Sequence, residues 1–191
     1  MPMRSIGDHF PAYTATAVTG GDLSTADVEK PWNYFTTVSS NDHNGLWRIL
    51  LFWPEDANGI SGLELEAFGR ANDSFVQRGA QVLGVSVDTK YTHFYARVRD
   101  KNLHAVPFPL LSDHNRCIGA AAGVLNSSGR AERATFIIDP QNRIRYVSAS
   151  SAPAVRRPAA VLDMLADLQA EGQYAPRRAD AVSNGYLLAT A

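Results

Sequence analysis

Residues 50–68 of this 191-residue chain read LLFWPEDANGISGLELEAF, and they hold the side chains best placed to do chemistry. The apolar run Leu50-Leu51-Phe52-Trp53 stops at Pro54, and a helical pattern is under way by Leu63. Ser61 is a nucleophile if a base lies within reach; otherwise it caps the N–H groups of the helix start. Asp56 and Glu64 serve as general acid or base if burial raises a pKa. The alternative is that Asp56 binds the turn backbone and Glu64 favours the helix start through its charge. The local sequence Gly59-Ile60-Ser61-Gly62-Leu63 is not a Gly-x-Ser-x-Gly nucleophile elbow. His9, His43, His104 and His114 are scattered through turns without His-x-x-x-His or His-x-Glu spacing, so no metal is expected. The single cysteine, Cys117, excludes an internal disulfide, a Cys-based zinc site and a two-cysteine redox cycle within one chain.

The elements that must position these groups follow from periodicity. Residues 1–20 predict an edge hairpin, and Trp32–Val38, aromatic and β-branched, a strand. After the polar turn 41–45, Trp47–Trp53 is the near-continuous apolar run of a strand buried on both faces. Leu63, Ala67, Ala71 and Phe75 recur every four residues and predict one helix over 63–78, ended by Gly79. QVLGVSV, residues 81–87, predicts a second buried strand. Asp88 and Thr89 can cap a helix over 91–101. An extended segment at Leu110-Leu111 and a short helix over 115–123 follow. Strands over 133–138 and 143–149 then form a hairpin around the turn 139–142. A last helix spans 159–169, with Val161, Leu162, Leu165 and Leu168 on one stripe. Helices alternating with buried strands, then a late hairpin, predict an α/β sandwich around a mixed sheet. Residues 1–169 read as one domain and 170–191 as a C-terminal arm.

Composition narrows the classes. Hydrophobic residues at 45% and charged residues at 19% suit a globular chain able to bury a core, not a disordered one. A net charge of −1 without a basic run argues against nucleic acid as a partner. No apolar run reaches bilayer length and the first eight residues lack a signal peptide's apolar stretch, so a cytoplasmic protein without a membrane partner is expected.

Several ordered segments together resemble the AhpC branch of the peroxiredoxins. They are Ile6-Gly7-Asp8-x-Phe10-Pro11, Trp47-Arg48 through Phe52-Trp53-Pro54-x-Asp56, and Leu83 to Asp88. Pro107 to Asp113 and Arg133 to Pro140 complete the set, and the match runs almost without gaps to about residue 169. The resemblance implies a thioredoxin-like fold, a homodimer and often a ring of five dimers. In that family the turn reads Pro-x-x-x-Thr-x-x-Cys followed by Pro-Thr-Glu. The cysteine becomes a thiolate beside an arginine and attacks peroxide. A C-terminal cysteine then resolves the sulfenic acid.

Position by position, Pro54 and Glu64 match the family turn, and Arg133 matches the site arginine. Asn58 replaces the threonine, Ser61 the reactive cysteine, and Gly62-Leu63 the Pro-Thr pair. Tyr174 and Pro176 fall where the C-terminal cysteines would lie, and Ala96 replaces a tryptophan. A serine hydroxyl stays protonated near neutrality and cannot run a sulfenate and disulfide cycle, so thiol peroxidase chemistry at Ser61 is not expected. Large groups have become small at Ala57, Gly59, Gly62 and Ala96, which predicts a wider, more apolar pocket suited to a small organic ligand. Pro54, Asn58, Gly62, Glu64 and Ala96 are expected to line it. Arg133 reads either as holding an anionic or carbonyl oxygen or as a salt bridge with Glu64. His93, in a segment resembling one near the family site, reads as a proton carrier or as packing at a helix or dimer contact. Cys117 reads as a small packing residue or a relocated redox thiol. Three functions follow: a repurposed, cofactor-independent enzyme with Ser61, Arg133, Asp56 and His93 as its catalytic groups; a non-catalytic oligomeric scaffold or regulator; or residual peroxidase activity through Cys117.

Overall fold

In a computed structural model, residues 2–56, 59–150 and 155–171 are described. The strands are β1 (Thr14–Val18), β2 (Phe35–Ser39), β3 (Trp47–Phe52), β4 (Ala80–Ser86), β5 (Leu110–Ser112), β6 (Arg133–Ile138) and β7 (Ile144–Ser150). The α-helices are α1 (Gly59–Arg70), α2 (Asn72–Gln77), α3 (Lys90–Arg99), α4 (Cys117–Ala122) and α5 (Pro158–Glu171). The strands form one sheet in the order β2-β1-β5-β4-β3-β6-β7. β3 pairs parallel with β4, and β4 with β5, while the other pairings are antiparallel. The expected sandwich around a mixed sheet therefore forms.

Every residue of β3, β4 and β6 is buried, and alternation along β3 shows why. Leu50 and Phe52 join one core with Phe10, Leu83, Phe136 and Ile118, while Trp47, Ile49, Leu51 and Trp53 join the opposite core with Phe68, Phe75 and Leu165. Side chains of successive strand residues point to opposite faces, so a strand between two helical layers is largely apolar, and a polar exception such as Arg48 is bonded, donating to the Ser40 carbonyl and to Asn142 Oδ1.

Three expectations are corrected. The N-terminal segment forms no hairpin of its own, because β1 pairs with the distant β2, Thr14 opposite Ser39, and with β5. The helix expected over 63–78 begins earlier and is broken. α1 starts at Gly59, and Ala71, outside both helices, accepts a tight i→i+3 bond from Ser74. The break keeps Phe68 and Phe75 stacked 5.9 Å apart in the core. The stretch from Trp32 opens as a 3-10 turn over Pro31–Tyr34 before β2 begins. The last helix runs to Glu171, two residues past the expected domain boundary, and the rest of the expected arm lies outside the described residues.

The polar turn before β3 hides a histidine. His43 is 1% exposed, and burial, aided by the nearby Arg48 charge and opposed by Asp42, pushes its pKa down to about 4. A group whose pKa folding depresses contributes stability above its unfolded value of 6.5 and loses it as the pH falls towards 4. We expect His43 to cost about 3 kcal/mol over that window. Urea midpoints measured from pH 7 to pH 4 should fall accordingly, and a His43→Gln variant should flatten the fall. An unchanged slope would remove His43 as its source.

Candidate functional site

The site begins where β3 and β4 end side by side. Gly84 on β4 leaves room for Trp53, since a Cβ there would lie 2.7 Å from the indole. The indole Nε1 donates to Asp56 Oδ1 at 2.8 Å, and the other carboxylate oxygen faces His93 Nδ1 at 2.6 Å. His93 comes from α3, whose start is capped by Thr89 accepting from the Thr92 N–H. His93 Nε2 faces the Leu111 carbonyl at 3.2 Å. A carboxylate beside one ring nitrogen and a carbonyl beside the other favour the form of His93 in which both nitrogens donate. Burial alone would push its pKa down, but the Asp56 charge and hydrogen bond outweigh it and lift the pKa above the usual value. His93 thus contributes stability below about pH 6.5 and loses it as the pH rises through its folded value. Asp88 Oδ2 fastens the turn by accepting from the Asp56 backbone N–H at 2.7 Å and from the Ser86 hydroxyl at 2.8 Å.

A second cluster lies on the inner side of α1. Glu64 Oε2 accepts from Arg133 Nη1 at 2.7 Å and from Arg156 Nη2 at 2.8 Å. Its Oε1 accepts from the Arg156 backbone N–H and Nε at 2.7 and 2.9 Å. Arg133 Nη2 donates to Ser61 Oγ at 3.2 Å, and Arg156 Nη1 donates to the Ala134 carbonyl at 2.8 Å. Ser61, Glu64 and Arg133 are all buried. Burial would raise the Glu64 pKa, but hydrogen bonds and charge from Arg156, joined by Arg133, hold it below the usual value. The salt bridge expected between Glu64 and Arg133 is present. Arg156 was not foreseen. It lies in the linker between β7 and α5 without a motif around it, and the only available signal was that a buried glutamate beside one arginine can accept from a second.

The third feature is a groove of about 660 Å³ between α1 and α3. Asp56, Gly59, Gly62, Leu63, Tyr91, Tyr95, Ala96 and Leu103 are among its walls. A Cβ on Gly62 would meet only Asp100 Oδ2, at 3.8 Å, so a larger side chain there would fill the groove. Of the positions expected to line a widened pocket, Gly62 and Ala96 do so; Pro54 and Glu64 do not, and Asn58 lies outside the described residues, as do Tyr174 and Pro176. Ser61 also faces away, into the ion cluster. The catalytic groups expected together therefore divide: Asp56 lines the groove with His93 buried behind it, and Ser61 and Arg133 stand behind α1. Cys117 is not the buried packing residue expected; it is exposed at the start of α4. Among the described residues, no group of three or more His, Cys, Asp or Glu side chains is placed to hold a metal.

A model of the AhpC/TSA family matches residues 6–147. The chain belongs to this family. This AhpC/TSA member is 47% identical over 171 residues to alkyl hydroperoxide reductase C of Mycobacterium tuberculosis, covering 90% of this chain and 88% of the relative. The same figures hold for alkyl hydroperoxide reductase C of Mycolicibacterium smegmatis. Among solved structures, Mycobacterium bovis AhpC superposes with a TM-score of 0.85 at 47% identity, covering 90% of this chain and 96% of the other. Enterococcus faecalis AhpC, at 24% identity and a TM-score of 0.77, shares the fold. The thioredoxin-like peroxiredoxin architecture expected from the sequence is the one observed.

Proposed function

We propose that this AhpC/TSA member has given up cysteine peroxidase chemistry and binds a small organic molecule in the groove between α1 and α3. The groove carries this reading. Its volume of about 660 Å³ falls in the roughly 300–1,000 Å³ range of small-molecule sites. Gly62 and Ala96, where the family resemblance places larger residues, form part of its wall. Asp56, a wall residue of the groove paired to the buried His93, is the candidate for proton transfer. Asp56 Oδ2 and His93 Nδ1 lie 2.6 Å apart, shielded from water, with the Asp56 side chain 3% exposed. Ser61 and Arg133 act behind the groove wall and not on its contents. No cofactor enters this scheme. The surroundings are read as cytoplasmic; no helix among the described residues is long and apolar enough to cross a membrane.

A second reading is a non-catalytic scaffold or regulator that assembles as a homodimer or a ring of dimers. It is supported by the exposed apolar side chains of Val28 and Trp32, at 48% and 61%.

A metabolite screen by thermal shift tests the first reading, because a ligand of the native state raises its apparent stability. We expect at least one small organic compound to raise the melting temperature of the wild type and to lose its effect in Ala96→Trp, which refills the groove. If no compound acts, or if Ala96→Trp responds equally, the groove reading fails. Catalytic removal of hydrogen peroxide by the wild type with dithiothreitol would overturn the loss of peroxidase chemistry. If that removal vanished in Cys117→Ala, it would belong to the exposed thiol.

A further inference from the structure

The groove between α1 and α3 is uneven in charge. Its walls carry three carboxylates, Asp56, Glu66 and Asp100, and a single cation, Arg99. Two of the carboxylates are already matched, Asp56 by the buried His93 at 2.6 Å and Glu66 by Arg70 at 2.5 Å. Arg99 lies against a ring, its Cζ 5.6 Å from the centre of Tyr95. Asp100 is left. It stands at the C-terminal end of α3, where Oδ1 accepts from the Asn102 backbone N–H at 3.0 Å and so fixes the carboxylate. The other oxygen, Oδ2, lies 3.8 Å from the point that a Cβ on Gly62 would occupy, and faces the space that the missing side chain leaves.

The apolar walls are open as well. Leu63 on α1 and Tyr91 on α3 both line the groove, yet they are 57% and 46% exposed. Large apolar side chains left bare on both sides of one groove mark a surface that something else covers.

We infer that the groove takes an organic monocation, an ammonium group joined to an apolar body. This rests on the groove reading above and names the class of its ligand. The ammonium meets Asp100 Oδ2 beside Gly62, and the body lies on Leu63, Tyr91 and Leu103. Tyrosine rings suit such a ligand because their electron-rich faces attract cations, as Tyr95 already does with Arg99. An anion would face three carboxylates, and a neutral ligand would leave Asp100 unused.

Three probes that share a phenylethyl body separate the class from the groove: phenethylamine, phenethyl alcohol and the anion hydrocinnamate. Each is titrated into the full chain at pH 7 and low ionic strength, with protein NMR shifts as the readout. We expect the amine to bind about tenfold more tightly than the alcohol, and hydrocinnamate more weakly than either. Asp100→Asn keeps the bond to the Asn102 N–H and should bring the amine down to the level of the alcohol, with the alcohol itself unchanged. Ala96→Trp should abolish binding of all three; if it does not fold, Gly62→Leu fills the same space. Equal affinity for amine and alcohol, tighter binding of hydrocinnamate, or an undiminished preference in Asp100→Asn overturns the cation class and leaves the groove standing. Binding of none of the probes, or binding unchanged in the filled variant, overturns the groove reading and the class with it.

Discussion

Replacing Glu64 with alanine should destabilise the protein by about 3–5 kcal/mol, the cost of breaking a buried ion pair and leaving its partner unmatched. The size follows from the arrangement. Glu64 is the shared acceptor of Arg133 and Arg156, and its removal leaves two cations facing one another with no carboxylate between them. Loss of one half-exposed surface pair, such as Arg130 with Glu55, would cost about 1 kcal/mol at most. Urea unfolding measures the difference directly. A triple variant, Glu64→Leu with Arg133→Met and Arg156→Met, separates the two sources of the loss. Buried ion groups replaced together by apolar ones of similar volume often recover the stability. The triple variant should therefore lie well above Glu64→Ala. If both are equally unstable, packing and not orphaned charge governs the cluster.

Ser61→Cys should produce a thiol that ionises far below its ordinary value near 8.5, within the roughly 3.5–7.5 range of cysteines beside cations. The new sulfur would sit where Ser61 Oγ lies, 3.2 Å from Arg133 Nη2, in a cluster already one negative charge short. It would also stand in the first turn of α1, where the helix dipole favours an anion. At pH 7 most of the sulfur would be thiolate, against a few per cent for a free cysteine. Ultraviolet titration in a Cys117→Ala background reads this out, and a diketone trap should capture a sulfenic acid after one equivalent of peroxide. Turnover should not follow, because that background holds no second thiol to resolve the product. A titration midpoint at the ordinary value would show that the cluster does not stabilise an anion at this position.

The fold was largely legible because its central strands are buried on both faces and so leave near-continuous apolar runs. Trp47–Phe52 and Arg133–Ile138 fall within a residue of where those runs place them. What escaped was nonlocal or masked by a continuing pattern. The partner of β1 is some 20 residues away, which no local period reports. The break at Ala71 leaves the four-residue spacing of Leu63, Ala67, Ala71 and Phe75 intact, so periodicity passes straight through it. At the site, the large-to-small positions Gly62 and Ala96 line the groove. Ser61 was misplaced there because sequence adjacency says nothing of which side of a helix a residue takes. Arg156 was invisible because its role depends on a glutamate 92 positions away. Of the two readings of Cys117, the packing residue rests on how often a free cysteine is buried, and its place at the start of the short helix α4 exposes it instead.

Ser61 and Gly62 are neighbours in the chain but serve different sides of α1, one turned to the ion cluster and the other to the groove. Advancing one residue on a helix rotates the side chain by about a quarter of a turn. That rotation makes the first turn of α1 a partition between two compartments. Descent can then revise them separately: exchanges at Gly62 or Ala96 reshape what the groove admits, while Glu64, Arg133 and Arg156 stay under their own constraint. A lineage holding such a partition can change its ligand in single steps, each leaving the other compartment intact.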